Sequence, residues 1–361
     1  MTAVISDLEN LEHKEAKNFN IPKKCLVTIP SFIGDAVLIT PLLVNLRMNF
    51  GIEVQIDIVA KSGIAKLLKN NNFVNRVYSQ EKISNNTKFL QKRGYDTILL
   101  FNFPFNWAFA AYCAKIPQRV GFSLDRLGIK PLRIWEKAIT HIVQSTTISA
   151  LQHQIEVYLN TLKDLGLKKF VIFPSININE KAVFKAKKLL NNIKNKTILI
   201  HATAGSIGKE LDLKFWANTI KEISNIGGYE FICVGTEKDK HIYNKISQIS
   251  EVKIHNFCGK TNLQETVGVL KEIDTVITLD TSIAHLAAVA ETPNIIVIYG
   301  PTNEKKWKPM SKTSRVFQVY KDLQCRPCIT RFCSNKECLN SINPSDITDI
   351  IKEIGLSANL S

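Results

Sequence analysis

The run D-T-V-I-T-L-D-T-S-I-A-H-L-A-A-V-A-E-T-P-N-I-I-V-I, Asp274 to Ile298, decides the fold. Thr275 to Thr278 is short and apolar enough for a buried strand. Ser282 to Val289 carries apolar residues at helical spacing, and Asn294 to Ile298 is a second apolar strand. Strand, helix and strand joined by short links form a parallel crossover unit, whose sheet needs helices on both faces. Polar residues sit between the first strand and the helix. Asp280 and Thr281 fall at the strand's carboxyl end, Ser282 begins the helix and His285 lies within its first turn. Buried polar groups need partners, so this group either satisfies itself or receives a ligand.

Upstream, the same alternation continues. A basic helix over Glu180 to Ile193 precedes strand Thr197 to His201, helix Leu213 to Ile226, strand Tyr229 to Val234, helix Asp239 to Ile249, a strand near Ile254 and helix Leu263 to Ile273. A separate series occupies the front of the chain: strand Cys25 to Ile29, a helix from Ala36 to Phe50, strand Val54 to Val59, helix Ser62 to Lys69 and strand Thr97 to Phe101. Phe170 to Ile178, extended and Pro-containing after an amphipathic helix around Leu151 to Leu165, is the linker candidate. Two βα series predict two doubly wound α/β sheets. The expected division is a polar leader over 1–21, a first domain over 22–172, a second over 173–342, and a last helix and tail over 343–361.

The 361 residues suit two domains of roughly 100–200 residues each. Lys and Arg number 47 against 32 Asp and Glu, a net charge of +15 that favours an anionic partner without choosing one. The N-terminal M-T-A-V-I-S-D-L-E-N lacks the apolar run of a signal peptide, and no stretch reaches about 18 consecutive apolar residues, so a cytoplasmic protein is expected. No helix-turn-helix or aromatic RNA-binding pattern supports nucleic acid as the partner. An oxidoreductase using a dinucleotide would share the architecture, but no G-x-G-x-x-G follows a strand.

Ligands of open α/β sheets bind beyond the carboxyl ends of the strands, where helix N-termini offer N–H groups to anions. Two further loops qualify. In P-S-F-I-G-D-A-V-L-I-T-P, Gly34 permits a tight turn and Asp35 stands at a helix start, as a capping residue or a catalytic one; Pro41 either kinks the helix or marks its true first turn. In H-A-T-A-G-S-I-G-K-E, Thr203, Ser206, two glycines and Lys209 suit a phosphate, although the P-loop spacing is absent. Near the end, C-R-P-C-I-T-R-F-C-S-N-K-E-C sets Cys325, Cys328, Cys333 and Cys338 at a spacing compatible with structural zinc, or with free thiols packing a loop.

In this order, G-D-A-V-L-I-T-P, H-A-T-A-G-S-I-G-K and T-L-D-T-S-I-A-H-L-A-A-V-A-E-T-P-N-I-I-V-I-Y-G-P-T resemble glycosyltransferase family 9, the bacterial ADP-heptose:lipopolysaccharide heptosyltransferases, from about Cys25 to the end. The resemblance implies a GT-B architecture: two facing Rossmann-like domains, acceptor mostly on the first, nucleotide-sugar on the second, and a C-terminal helix crossing back. It implies an inverting transfer of heptose from ADP-heptose to the Kdo/heptose inner core on lipid A, without a required cofactor. Asp35 then corresponds to the general base, and Thr203, Lys209, Glu237, Asp280, Thr281, Ser282 and His285 to donor-binding residues. Lys209 goes to the diphosphate and Glu237 to the ribose, though a plain surface charge is the alternative for Glu237. The loop before Lys209 is one residue longer than is usual in the family. No D-x-D occurs, so fixed cations and helix termini should replace a metal ion. An anionic, lipid-linked acceptor would give the basic surface a use on the cytoplasmic face of the inner membrane, with Lys305, Lys306, Lys308, Arg326 and Arg331 among the contributors. A family 9 enzyme with another nucleotide-sugar, or with a protein acceptor, is the nearest alternative.

Overall fold

In the computed structural model, residues 19–101, 105–122, 138–143, 152–328, 333 and 335–358 are described. Most of the expected polar leader, the last three residues and Arg331 lie outside them. The chain divides into two compact units. One comprises the stretches up to Ser31, Ile39–Ser149 and Gln154–Ile172; the other comprises Phe32–Leu38, Ala150–His153 and Phe173–Ser361.

In chain order the first series contains β1 (Lys24–Thr28), α1 (Ile33–Leu38), α2 (Thr40–Phe50), β2 (Gln55–Ala60), α3 (Ser62–Leu68), β3 (Arg76–Ser79), α4 (Asn86–Arg93), β4 (Thr97–Leu100), α5 (Phe105–Cys113), β5 (Gln118–Phe122), β6 (His141–Val143) and α6 (Gln154–Asp164). The single helix expected from Ala36 to Phe50 is two. Pro41 has no N–H to give, and its ring would collide with the carbonyl of Val37 in a continuous helix. The chain therefore restarts at Thr40, with Pro41 in the first turn of α2. Six parallel strands form the first sheet in the order β3-β2-β1-β4-β5-β6. Thr28 of β1 lies opposite Val59 on one side and Leu100 on the other. Trp107, Tyr95, Leu90 and Ile98 pack on it as a buried cluster. The outgoing chain is pinned to α2 by Asn45, whose Nδ2 donates to the Val171 carbonyl at 2.7 Å while its Oδ1 accepts from the Phe170 and Val171 amides.

The second series runs α7 (Glu180–Leu190), β7 (Lys196–His201), α8 (Leu213–Ile226), β8 (Tyr229–Cys233), α9 (Lys240–Ser250), β9 (Ile254–Asn256), α10 (Leu263–Lys271), β10 (Thr275–Leu279), α11 (Ser282–Val289), β11 (Asn294–Ile298), β12 (Arg315–Val319), α12 (Glu337–Asn340) and α13 (Pro344–Ala358). Its sheet is again parallel and six-stranded, in the order β12-β11-β10-β7-β8-β9. Side-chain caps start the helices where the sequence supplies them: Asn179 for α7, Asp212 for α8, and Asn262 with Glu265 as a capping box for α10. Trp216, Tyr243, Phe231 and Ile347 share one core, so the final helix α13 is held by packing on α8 and β12. The order 3-2-1-4-5-6 in the first sheet and its counterpart in the second reverse direction between β1 and β4 and between β7 and β10. Such reversals are where α/β sheets open a crevice at their carboxyl edge.

Candidate active site

At the reversal of the second sheet, β7 and β10 are direct neighbours, with Thr278 paired to His201. Their carboxyl ends bring together two loops 71 residues apart in sequence. The Lys209 ammonium reaches Asp280 twice, donating to Oδ2 at 3.0 Å and to the backbone oxygen at 3.3 Å. Asp280 is 7% exposed and Lys209 31%, so the pair is half sheltered from water and screened less than a surface bridge. An ammonium has three protons; two are spent on Asp280 and one is left for a ligand.

Thr281 caps α11, its hydroxyl accepting weakly from the Ile283 amide at 3.4 Å. The aspartate before it, Asp280, is committed to Lys209. The same Thr281 hydroxyl lies 3.2 Å from the Thr278 hydroxyl and 3.3 Å from His201 Nδ1. Burial pushes the His201 imidazole down to about 4, so it is neutral at physiological pH. Ser282 opens α11, whose dipole favours negative charge at this end; the Ile283 and Ala284 amides are taken by Thr281.

The loop after β7 differs in part from the phosphate cradle expected of it. Thr203 is buried, and the amide of Ala202 before it donates to the Tyr243 phenol at 3.0 Å. The Ala204 amide is taken by the Glu210 carboxylate at 3.0 Å. The first part of the loop is thus fixed to the protein, and Lys209 is delivered by the turn Ile207–Lys209.

His285 is 4% exposed, and its Nδ1 has no hydrogen-bond partner among the described residues. Burial lowers its pKa to about 4, against the pull of Asp280 and with the help of His153 and Lys209. Its ring packs on Gly34 so closely that a Cβ there would stand 3.0 Å from His285 Cδ2. Gly34 is needed for close approach, and Asp35, in the first turn of α1, belongs to the same unit as the loops of Lys209 and Asp280. Beside Asp35 is the half-buried ammonium of Lys306, lowered by burial and raised in part by the Asp35 carboxylate. Sequence reasoning gave Lys306 only a general surface role. The available signal was topological, since its loop follows β11, the strand next to β10.

Glu237 lies apart from this group, in a short turn after β8, 70% exposed and bridged to Lys240 at 3.2 Å. Its carboxylate also packs directly on Gly259. Arg326, expected to face phosphates or lipid, is 5% exposed and braces the loop after β11 through the carbonyls of Gly300 and Thr302 and the Glu304 carboxylate. The spacing of the cysteine-rich loop is open to structural zinc or to free thiols. Cys325 and Cys333 are exposed thiols while Cys338 is buried, and among the described residues no group of three or more His, Cys, Asp or Glu is placed to hold an ion.

Two six-stranded parallel α/β domains, the second with a polar switch point, define the GT-B class. Residues 84–339 match the model of glycosyltransferase family 9 (heptosyltransferase), and the chain belongs to that family. It is similar to lipopolysaccharide heptosyltransferase 3 of Escherichia coli K12, at 26% identity over 87% of this chain and 93% of the relative. Lipooligosaccharide heptosyltransferase 2 of Campylobacter jejuni is 22% identical over 93% and 100%. Among solved structures, E. coli ADP-heptose LPS heptosyltransferase II superposes with a TM-score of 0.73, at 20% identity and covering 93% of this chain and 99% of that one. An E. coli heptosyltransferase with ADP gives 0.63, at 16% identity over 91% and 99%.

Proposed function

We propose that this glycosyltransferase is a heptosyltransferase of lipopolysaccharide core biosynthesis. It transfers heptose from ADP-L-glycero-D-manno-heptose to a hydroxyl of the Kdo/heptose inner core, with inversion. The observation that carries the reading is the meeting of Lys209, Asp280 and the hydroxyl-capped N-terminus of α11 at the switch point of the second sheet. The names of the similar enzymes supply the sugar and the acceptor class.

The donor diphosphate takes the remaining proton of Lys209 and the N–H group of Ser282 at the start of α11. The loop carrying Thr203 is stiffened by the bond from the Ala202 amide to Tyr243, and Asp280, held in place by Lys209, accepts from heptose hydroxyls. Glu237 follows the strand next to β7, where Rossmann-type folds set an acid against the ribose. As the acceptor oxygen attacks the anomeric carbon, the bond to ADP breaks and its electron pair moves to the diphosphate. Lys209 and α11 stabilise that charge where it develops. The acceptor's proton passes to Asp35. An aspartate in the first turn of a helix beside Lys306 is a weak base, so the proton leaves late, after the hydroxyl has been acidified by bond formation. His285, neutral at working pH, adds a directed hydrogen bond from its unpartnered Nδ1 rather than a second positive charge. A lipid-linked acceptor puts the reaction at the cytoplasmic face of the inner membrane. Among the described residues no helix is long and apolar enough to cross a membrane.

The test is transfer from ADP-heptose to Kdo-lipid A and to heptosylated core. Asp35→Asn should keep ADP affinity and lose turnover by on the order of 10²–10⁴-fold. Lys209→Ala should weaken both ADP binding and turnover. Full turnover in Asp35→Asn would remove it as the base, and no transfer to either acceptor would remove the assignment.

A further inference from the structure

A groove of ≈ 650 Å³ lies at the free edge of the first sheet, between α3, β3, the turn Gln80–Lys82 and α4. Six cations line it: Lys66, Lys69, Lys82, Lys88, Lys92 and Arg93. No carboxylate does. Glu81, the acid nearest in sequence, is consumed by Ser62 and Ser79, accepting from the Ser62 amide and from both hydroxyls. None of the six cations makes an ion pair among the described residues. Lys88 and Lys92 stand four apart on α4, and Lys66 and Lys69 three apart at the end of α3; like charges at these spacings repel and weaken a helix. The dipole of α4 compensates Lys92 and Arg93 but not Lys88 or Lys82.

The groove also has an apolar floor. Arg93 stacks over Tyr78 and Phe89, with its guanidinium carbon 5.0 and 5.7 Å from the ring centroids. Phe89 continues edge-on into the buried Trp107 of α5. That helix packs against α4 and leaves Phe109 and Tyr112 about half exposed. The partly exposed Tyr78 and Phe89 that line the groove with the lysines combine the two features that hold proteins to a headgroup layer: an aromatic ring for the interface and charge for anionic lipid. A soluble anion would use the cations and leave the aromatics without purpose.

We propose that this groove, on the first unit and separate from the donor site, docks the enzyme on a bilayer by binding the phosphate of an anionic lipid headgroup. It deepens the reading of a membrane-facing heptosyltransferase by assigning the surface. The experiment is sedimentation of the purified full chain with phosphatidylcholine vesicles, with and without phosphatidylglycerol. Wild type should bind only the anionic vesicles. Lys88→Gln/Lys92→Gln should bind them about thirtyfold more weakly. Lys187→Gln/Lys188→Gln, the same loss of charge at two exposed positions on α7, should bind like wild type. Transfer onto vesicle-embedded acceptor should fall with docking in the α4 variant, while transfer onto a delipidated acceptor stays unchanged. Equal weakening in both double variants would reduce the effect to net charge and overturn the proposal, as would absent binding to anionic vesicles. Binding of free glycerophosphate as tight as binding of the anionic vesicles would make the groove a soluble-phosphate site and overturn docking. Vesicle binding is read without catalysis, so a failure of heptosyl transfer would count against the proposed function and leave this arm intact.

Discussion

Lys209 and Asp280 form a pair in which each residue prepares the other. Without the ammonium, a carboxylate that is 7% exposed would lose its counter-ion; without the carboxylate, a four-carbon side chain would wander. His285 is the other residue whose chemistry burial has set. Its folded pKa of about 4 lies below the ordinary 6.5, so between these values the unfolded chain binds a proton that the folded chain refuses. Stability from this residue is complete above about pH 6.5 and is lost as pH falls through about 4, a change of roughly 3 kcal/mol. Urea denaturation should therefore show wild type weakening steeply from pH 6.5 to 4. His285→Gln, less stable at neutral pH, should show a distinctly shallower slope. Parallel slopes in the two proteins would mean that His285 does not titrate on unfolding. The histidine was visible in the sequence, but its missing partner was not, because nothing local says that Gly34, about 250 positions earlier, closes over its ring.

At the scale of elements, α10 and α7 approach each other closely through Gly268. A Cβ on Gly268 would stand 2.8 Å from the backbone oxygen of Ala182, and backbone cannot rotate away as a flexible side chain could. Gly268→Ala should destabilise the second unit by about 1–3 kcal/mol despite alanine's better helix propensity, measured as a lower midpoint in denaturant. A neutral or stabilising result would show that the two helices can separate freely. The elements easiest to read were those with a strong period and a cap: helix Leu213–Ile226 and strand Asn294–Ile298 have the same bounds from sequence and structure. The elements passed over were short or weakly patterned. β3 has four residues, β5 contains Gly121, and β6 has three residues. Such edge or near-edge strands bury little on their own and are defined by the neighbour they pair with. The break between α1 and α2 was legible as an alternative because Pro41 admitted only a kink or a restart.

For the whole molecule, the repeated βα alternation made two parallel sheets legible, and the order of motifs was enough to suggest the family. Strand order was not readable from it. It is strand order that puts β7 beside β10 and turns two distant loops into one site, and that sets β11 next to them so that the Lys306 loop can join. The association of Phe32–Leu38 with the second unit is equally non-local, since it depends on α1 meeting α11 rather than on the strand before it. A consequence can be measured across the chain. If the donor nucleotide is held by loops of the second unit alone, ADP at about a hundredfold its Kd should stabilise that unit against opening by about 2.7 kcal/mol, slowing amide exchange in its site loops by about a hundredfold. Protection is expected in Ala202 to Lys209 and Asp280 to Ala284, propagating into β7 and β10, whose hydrogen bonds open with the site. The core strand β2 of the first unit, Gln55 to Ala60, contributes nothing to the nucleotide and should exchange at the same rate with and without it. Equal slowing of β2 and of the β7 and β10 loops would mean that ADP stabilises the chain as one cooperative body. Slowing confined to β2 would mean that the nucleotide is bound by the first sheet and that Lys209, Asp280 and Thr281 serve another ligand.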